Sequence, residues 1–278
     1  MKPPPFAYHR PTNLTEALAR LSTDEGAVPL SGGQSLVPLL NMRLARPSTI
    51  VDLSAVPGLD SISSHDGQVQ IGGRVTHSRL ERHDWPAGLE ALTTGVQRIG
   101  YPAIRHRGTV GGSLAHADPA AELPSLMVAF DATIEVTSAG GSREIGADDF
   151  FVGYFETARR QDEIVTSVAI PTPGGLRSGF SEITRRTGEF ALALAAVTTW
   201  DTADGRQARA VVGGLDVRPR RIPETEEALI SGELIDAALT PEILERHVSP
   251  PSDIHASADY RLQVGAEMLR RAAREVTS

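Results

Sequence analysis

Apolar and polar positions along the chain change period several times, and each change marks an element. Leu14, Ala17, Leu18 and Leu21 fall at helical spacing behind a polar Thr12-Asn13 start and predict a helix over residues 15–21. The proline-rich segment before it, residues 2–11, reads as extended and anchored by Phe6 and Tyr8. After Asp24-Glu25-Gly26 comes a short apolar run from Val28. Ser31-Gly32-Gly33-Gln34-Ser35 follows, then an apolar helical run, Pro47 and the strand-like residues 49–53. This is a βαβ unit with a glycine turn at its first strand-to-helix junction, and Arg43 and Arg46 stand at the negative end of its helix.

Further on, Gln68-Val69-Gln70-Ile71-Gly72-Gly73 alternates as a strand. Thr76 opens a helix through Leu80, and residues 89–99 form another on Leu92, Val96 and Ile99. Residues 125–130 complete a helix, residues 131–137 form a strand answered by 141–145, and residues 149–154 read as an aromatic-rich turn. A strong strand at 163–170 runs into Pro171-Thr172-Pro173-Gly174-Gly175, the best domain boundary in the chain. Beyond it, residues 195–200 and 208–215 flank a turn at 201–206 and predict an antiparallel hairpin. Short helices are expected at 225–230 and 241–247, and a long one at 259–276 with Leu262, Ala266, Leu269 and Ala273 on its apolar face. At roughly 150 residues per domain, a chain of 278 residues holds two or three modest domains. The expected fold is α+β: an N-terminal βαβ subdomain over 1–55, a second α/β subdomain over 56–174, and a C-terminal antiparallel sheet with helices over 175–278.

Composition narrows the chemistry. Hydrophobic residues make up 40% of the chain, enough for ordinary cores, and the net charge of −8 without a basic stripe argues against nucleic acid. Cysteine is absent, which removes disulfides, thiolate nucleophiles, Cys-ligated zinc and iron–sulfur clusters from this polypeptide. The eight histidines show no metal-ligand spacing, so no metal site is expected. No run approaches the roughly 18–20 apolar residues that span a bilayer, and the N-terminus lacks an apolar signal core; a cytoplasmic location is the expectation. No Ser-His-Asp order, no paired catalytic carboxylates and no nucleophile elbow stands out, which fits a chain with no catalytic residue of its own and chemistry supplied by a cofactor.

The densest candidate chemistry lies in residues 105–124, where Gly111 and Gly112 precede two separated carboxylates, Asp118 and Glu122. Glycines without a Cβ let a ligand come close, and the amides of Gly111, Gly112 and Ser113 would present donors to an anion. A later carboxylate would accept from ribose or ribityl hydroxyls. A second reading of the same residues is a glycine turn leading into a capped helix, with Asp118 as N-cap and Pro119 in first position. Both stay open on this stretch alone. The Gly32-Gly33 turn places amides and a helix N-terminus where a pyrophosphate would be stabilised, although it is neither G-x-G-x-x-G nor a P-loop.

Taken together the two loops resemble a known family. Ser-Gly-Gly-Gln-Ser-Leu-Val-Pro at 31–38 is similar to the first flavin loop of the medium, FAD-binding subunits of the molybdenum hydroxylases, the group of carbon monoxide dehydrogenase and xanthine dehydrogenase. Ile-Arg-His-Arg-Gly-Thr-Val-Gly-Gly-Ser at 104–113 is similar to their second loop, with His106 where the family usually has Asn. A GDFA-like box at Gly188-Glu189-Phe190-Ala191 and Ala258-Asp259-Tyr260-Arg261 at the last helix extend the resemblance over the whole chain. The resemblance implies a two-part, vanillyl-alcohol-oxidase-like FAD-binding domain with FAD extended between its parts. Contacts would come from Ser31, Gly32, Gly33, Gln34, Ser35 and Leu36, and from Thr109, Gly111, Gly112 and Ser113. Apart from the resemblance, Arg186, beside Arg185, reads either as a charge that stabilises a reduced, anionic flavin or as half of a solvated pair at a strand end. By the resemblance, Asp118 and Glu122 would meet the ribityl or adenosine side, and Ile164 would approach the flavin from its strand, where a plain buried position is the other reading. The resemblance further implies a molybdopterin-bearing large subunit and a small subunit with two iron–sulfur clusters, assembled as a dimer of heterotrimers. Electrons would run from molybdenum through the clusters to this FAD and on to an external acceptor. The alternatives are a stand-alone flavin oxidase of related fold and a flavin-free module; neither substrate nor acceptor is legible.

Overall fold

Asn13 starts the first helix as its side chain dictates, accepting from the Glu16 amide at 2.9 Å while Glu16 Oε2 accepts from the Thr12 amide at 3.1 Å. The chain is described here in a computed structural model covering residues 2–232 and 239–277. β1 (Ala7–His9), α1 (Leu14–Thr23), β2 (Ala27–Leu30), α2 (Leu36–Asn41) and β3 (Thr49–Asp52) follow in order. The strands form a three-stranded parallel sheet in the order β1-β3-β2. Ala17, Leu18 and Leu21 on the inner face of α1 pack with Ala27, Val51, Leu53 and Val56, and Ile164 from much later in the chain completes this small core. Arg43 and Arg46 do not serve the end of α2: Arg43 takes a left-handed φ of 60° and its Nε donates to Lys2 O, while Arg46 Nε donates to Arg43 O.

The middle of the chain contributes β4 (Ile62–His65), β5 (Gln68–Gly72), α3 (His77–Glu81), α4 (Glu90–Arg98), α5 (Pro102–Arg105), α6 (Val110–His116) and α7 (Glu122–Ala129). It continues through β6 (Thr133–Ser138), β7 (Gly141–Gly146), α8 (Ala147–Phe150), a small hairpin of β8 (Phe151–Gly153) and β9 (Glu156–Thr157), and β10 (Ile164–Pro171). The expected aromatic turn at 149–154 is thus the end of α8 and the strand β8. β10 lies at the centre of a five-stranded antiparallel sheet in the order β4-β5-β10-β6-β7. Leu92 and Val96 of α4, Leu114 of α6 and Leu123 and Leu126 of α7 cover its face through Ile71, Ile134 and Val168.

Beyond the Pro/Gly cluster come β11 (Arg177–Thr184), β12 (Ala191–Thr202), β13 (Gly205–Gly213), β14 (Arg220–Arg221), α9 (Pro223–Ser231), α10 (Pro241–Glu245) and α11 (Ala258–Thr277). The four strands make an antiparallel sheet in chain order. β12 is buried on both faces, which is why it reads Ala-Leu-Ala-Leu-Ala-Ala-Val. Leu194 and Ala196 join the core of the middle part, while Ala193, Ala195 and Val197 face Ala266, Leu269 and Ala273 of α11. Small side chains let α11 lie close, and at Gly179 a Cβ would stand 3.0 Å from the Ala272 carbonyl carbon and nearer its oxygen. Phe180 and Leu194 also carry the middle core across the Pro171–Gly175 cluster. The fold is α+β, as the pattern predicts. Among the described residues no helix is long and apolar enough to cross a membrane.

Candidate cofactor-binding cleft

The C-terminal end of β2, the start of α6 and the start of β10 converge on a cleft of about 460 Å³, within the range of small-molecule and cofactor sites. Ser31, Gly32, Gly33, Gln34, Ser35 and Leu36 line it from one side. Thr109, Gly111, Gly112 and Ser113 line it from another, with Asp118 and Glu122 beyond them and Ile164 at the start of β10. Arg186 is the exception: it lies exposed on the turn after β11, outside the lining. The cations that do line the cleft are Arg74 and Arg159.

The two glycine loops meet. Ser31 Oγ and Thr109 Oγ1 are 2.8 Å apart. A Cβ on Gly32 would stand 2.8 Å from the Arg107 carbonyl carbon and 2.9 Å from Gly108 Cα, so only glycine lets the first loop rest on the second. Gly33 adopts φ 76°, turning the chain into α2. The amides of Gly32, Gly33, Gln34, Ser35 and Leu36 have no protein acceptor among the described residues. Because α2 is only 6 residues long, its dipole adds little, and these free N–H groups are what an anion would meet. Gln34, expected as a donor to the ligand, turns its Nε2 back to Gly32 O at 3.4 Å.

The second loop works differently from the expectation. Gly111 and Gly112 are not a turn but the first turn of α6, capped by Thr109. Their amides are engaged: Gly111 N donates to Gly73 O at 2.8 Å, Gly112 N to Thr109 Oγ1 at 3.2 Å and Ser113 N to Thr109 O at 2.9 Å. What these glycines supply is therefore room rather than donors. A Cβ on Gly111 would lie 2.8 Å from Gly73 O and 3.1 Å from Val165 O. The Ser113 hydroxyl, without a hydrogen bond among the described residues, remains available on this wall.

The acidic pair departs from the capping reading, while both carboxylates line the cleft. α7 begins at Glu122 with Ala121 in the capping position, so Asp118 is not an N-cap and Pro119 is not a first-turn proline. Asp118 Oδ1 instead accepts from the Ala120 amide at 2.9 Å, a local Asx turn. Glu122 is 6% exposed. Burial, with the Glu182 and Asp118 carboxylates adding to it, pushes Glu122 up to about 8. Glu182, on β11, is pushed by burial to about 7 against the pull of Arg98, and its Oε2 is buried without a partner. At neutral pH Glu122 is thus a carboxylic acid, which donates a hydrogen bond as well as accepting one.

His77, which no sequence signal marked, lies under the second loop. Its amide donates to Gly108 O at 3.0 Å, and neither ring nitrogen has a partner of hydrogen-bonding geometry. Burial holds it down to about 4, with the Thr109 backbone opposing and Arg105 adding to the shift, so the ring is neutral. Gly108 must be glycine to accommodate it, since a Cβ there would stand 2.8 Å from His77 Nδ1. Arg74, whose Nη1 donates to Val56 O at 3.3 Å, and Arg159 were missed for the same reason: only the fold brings them here. Among the described residues no group of histidine and carboxylate side chains is suited to hold a metal ion.

FAD fits this donor set. Free amides at 32–36 suit its diphosphate, hydroxyls at Ser31, Thr109 and Ser113 and the neutral acid Glu122 suit its polyol, and the walls at Gly32, Gly111 and Gly112 are pared to backbone. Fold and cleft together define a flavin-dinucleotide-binding protein whose cleft is lined by two glycine loops from separate parts of the chain. Comparisons agree. Residues 4–173 match the family described as FAD binding domain in molybdopterin dehydrogenase, and residues 178–276 match CO dehydrogenase flavoprotein C-terminal domain. The chain is 41% identical to the nicotine 6-hydroxylase medium subunit of Paenarthrobacter nicotinovorans, over 98% of this chain and 97% of that one. It is 34% identical to the carbon monoxide dehydrogenase medium chain of Afipia carboxidovorans, over 98% and 96%. Among solved structures, quinoline 2-oxidoreductase from Pseudomonas putida 86 superposes with a TM-score of 0.90 at 34% identity, covering 100% of this chain and 99% of that one. CO dehydrogenase from Oligotropha carboxidovorans superposes at 0.92 with 32% identity, covering 99% of each. The chain belongs to the family of FAD-binding medium subunits of the molybdenum hydroxylases, and its cofactor is FAD.

Proposed function

We propose that this chain is the FAD-carrying electron-transfer subunit of a molybdenum hydroxylase, taking electrons from the iron–sulfur clusters of a small subunit and delivering them to an external acceptor. Bound FAD supplies the redox chemistry through its isoalloxazine ring, and the polypeptide supplies binding, orientation and tuning. In this reading residues 1–55 and 56–174 form the two FAD-binding parts and residues 175–278 the C-terminal domain. The free amides at 32–36 hold the diphosphate. Ser31, Thr109 and Ser113 orient the polyol, and Glu122 keeps a proton at its carboxyl where an anion beside Asp118 would be repelled. A molybdopterin-bearing large subunit completes the complex, as a dimer of heterotrimers in the cytoplasm. The chain's likeness to medium subunits of multi-subunit dehydrogenases supports those partners, and with no cysteine in this chain a Cys-ligated cluster would sit on another polypeptide.

The observation that carries the reading is the closure of the two loops on each other, Ser31 against Thr109 and Gly32 against Arg107. Purification of the chain alone, with acid release and identification of its nucleotide, tests the cofactor; FMN, or no flavin, overturns the reading. Co-expression with the neighbouring genes tests the complex. Recovery of this chain without an iron–sulfur polypeptide and a molybdenum polypeptide would leave it a stand-alone flavoprotein.

A further inference from the structure

Arg159 is the cation of the cleft that the fold leaves unanswered. Its Nη1 is fixed by the carbonyl oxygens of Arg160 at 2.7 Å, Gln161 at 3.3 Å and Glu163 at 2.6 Å. Its Nε is buried with no partner, and Nη2 makes no hydrogen bond among the described residues. No carboxylate caps the guanidinium. Glu163, the nearest, gives its oxygens to Arg143 Nε at 2.7 Å and Nη2 at 2.8 Å and to the Arg160 amide at 2.6 Å. Asp162 and Glu163 attract Arg159 only at a distance, and burial dominates, lowering its proton affinity. A guanidinium stays charged in proteins, and a partly buried charge held by neutral carbonyls alone is costly unless an anion arrives.

The loop that carries Arg159 stands where two parts of the chain join. Gln161 Nε2 donates to Glu25 O of the N-terminal part, and Ile164, directly after Glu163, packs into the N-terminal core while lining the cleft. Arg159 is thereby aimed and immobilised before any ligand binds. By contrast Arg185 is exposed and engaged with Glu189 and His255, and Arg186 lies outside the cleft.

We propose that Arg159 is a cofactor-binding residue whose Nη2, the guanidinium nitrogen that is neither buried nor hydrogen-bonded among the described residues, donates to negatively charged acceptor atoms of the dinucleotide in the cleft, an inference that rests on the FAD reading above. Two parts of FAD have that chemistry, the diphosphate and the reduced isoalloxazine. Either accepts from a charged N–H donor, and Nη1, fixed by the three carbonyls, sets where that donor stands.

The test uses the full chain stripped of FAD, as wild type, Arg159→Gln and Arg159→Lys. Affinities for FAD, ADP and riboflavin are measured by titration, and the midpoint potential is measured on the FAD-loaded chains. Arg159→Gln is expected to weaken FAD by about tenfold or more, the effect of losing a charge-assisted hydrogen bond, and Arg159→Lys to recover part of it. A parallel loss for ADP with riboflavin unchanged assigns the contact to the diphosphate. A more negative potential with ADP unchanged assigns it to the reduced ring. A loop defect alone would lower the melting temperature of the stripped chain and leave the affinities of the folded protein and the potential unmoved, and that outcome overturns the proposal. So does a wild-type match of both variants in every measurement. If the wild type itself binds ADP but not FAD, the FAD reading fails as well, so the two failures are told apart.

Discussion

Replacing Gly32 by alanine tests whether the contact between the two glycine loops makes the site. The added Cβ would stand 2.8 Å from the Arg107 carbonyl carbon and nearer still to its oxygen, where ordinary contact begins at 3.4 Å, so backbone must give by at least about 0.6 Å. Neither neighbour is a side chain that can swing away. Overpacking of this kind costs about 1–3 kcal/mol, and the movement parts Ser31 from Thr109 and disperses the free amides proposed to hold the diphosphate. If that cost falls on the bound state, FAD affinity drops roughly ten- to a hundredfold, at 1.4 kcal/mol for each factor of ten. Gly33→Ala is the internal control. Its φ of 76° makes alanine strained by roughly 1–2 kcal/mol, but its Cβ would meet only Val37 Cγ2 at 3.2 Å and Leu30 Cδ1 at 3.3 Å, methyl groups that yield. Gly33→Ala should therefore lower stability while leaving the loops together. The measurements are the flavin-to-protein ratio as purified, FAD titration of the stripped chain, and its melting temperature. A Gly32→Ala protein that holds FAD like the wild type, or a Gly33→Ala protein that loses more FAD than Gly32→Ala, refutes the argument.

Thr109→Val removes both the N-cap of α6 and the hydroxyl pair with Ser31, at about 1–2 kcal/mol for a cap; calorimetry should show melting lower by roughly 2–4 °C per kcal/mol in a chain of this size, and an unchanged curve would discount the cap. Glu122 has its folded pKa raised to about 8 from an unfolded 4.5, so its contribution to stability is complete below the unfolded value and is lost as pH rises through about 8. Denaturant melts of wild type should therefore weaken between pH 5 and 8 more steeply than those of Glu122→Gln; equal slopes would show that the burial of Glu122 does not hold its proton. Leu126→Ala, at a fully buried position in the core shared across the Pro171–Gly175 cluster, should cost about 2–5 kcal/mol and keep one cooperative transition, whereas two separated transitions would contradict a shared core.

What the sequence shows plainly is whatever is local. α11 is legible because its apolar face repeats over 20 residues, the β12–β13 hairpin because its turn is marked, and the loop at 31–35 because left-handed glycine and free amides belong to a few adjacent residues. Gly111-Gly112 misleads, since two glycines read as a turn. Thr109 as cap and the burial of Val110 and Leu114 hold them helical against that preference. Glu122 reads as an acceptor because its protonation depends on burial and on Glu182, which arrives from β11. A positive charge is all that marks Arg186 as a candidate in the sequence, and it lies outside the cleft that the fold lines with Arg74 and Arg159. His77 carries no sequence signature, because its meaning comes only from the loop folded over it.

The proposed FAD site would couple cofactor binding to the docking of the N-terminal part. A piece the length of residues 1–55 is at the size where a core alone is marginal, and its buried cluster is completed by Leu59 and Ile164, which lie outside it. Its hold on the rest therefore rests on those side chains, on Ser31 against Thr109, on Gly32 against Arg107 and on the bond from Gln161 to Glu25. Several of these contacts border the cleft. A ligand that binds only the closed arrangement stabilises it by mass action, in proportion to the logarithm of its concentration over its dissociation constant. If the loops grip the diphosphate as proposed, they are also the clasp that keeps the first part docked, and FAD binding to the amides at 32–36, which have no protein acceptor among the described residues, would tighten it.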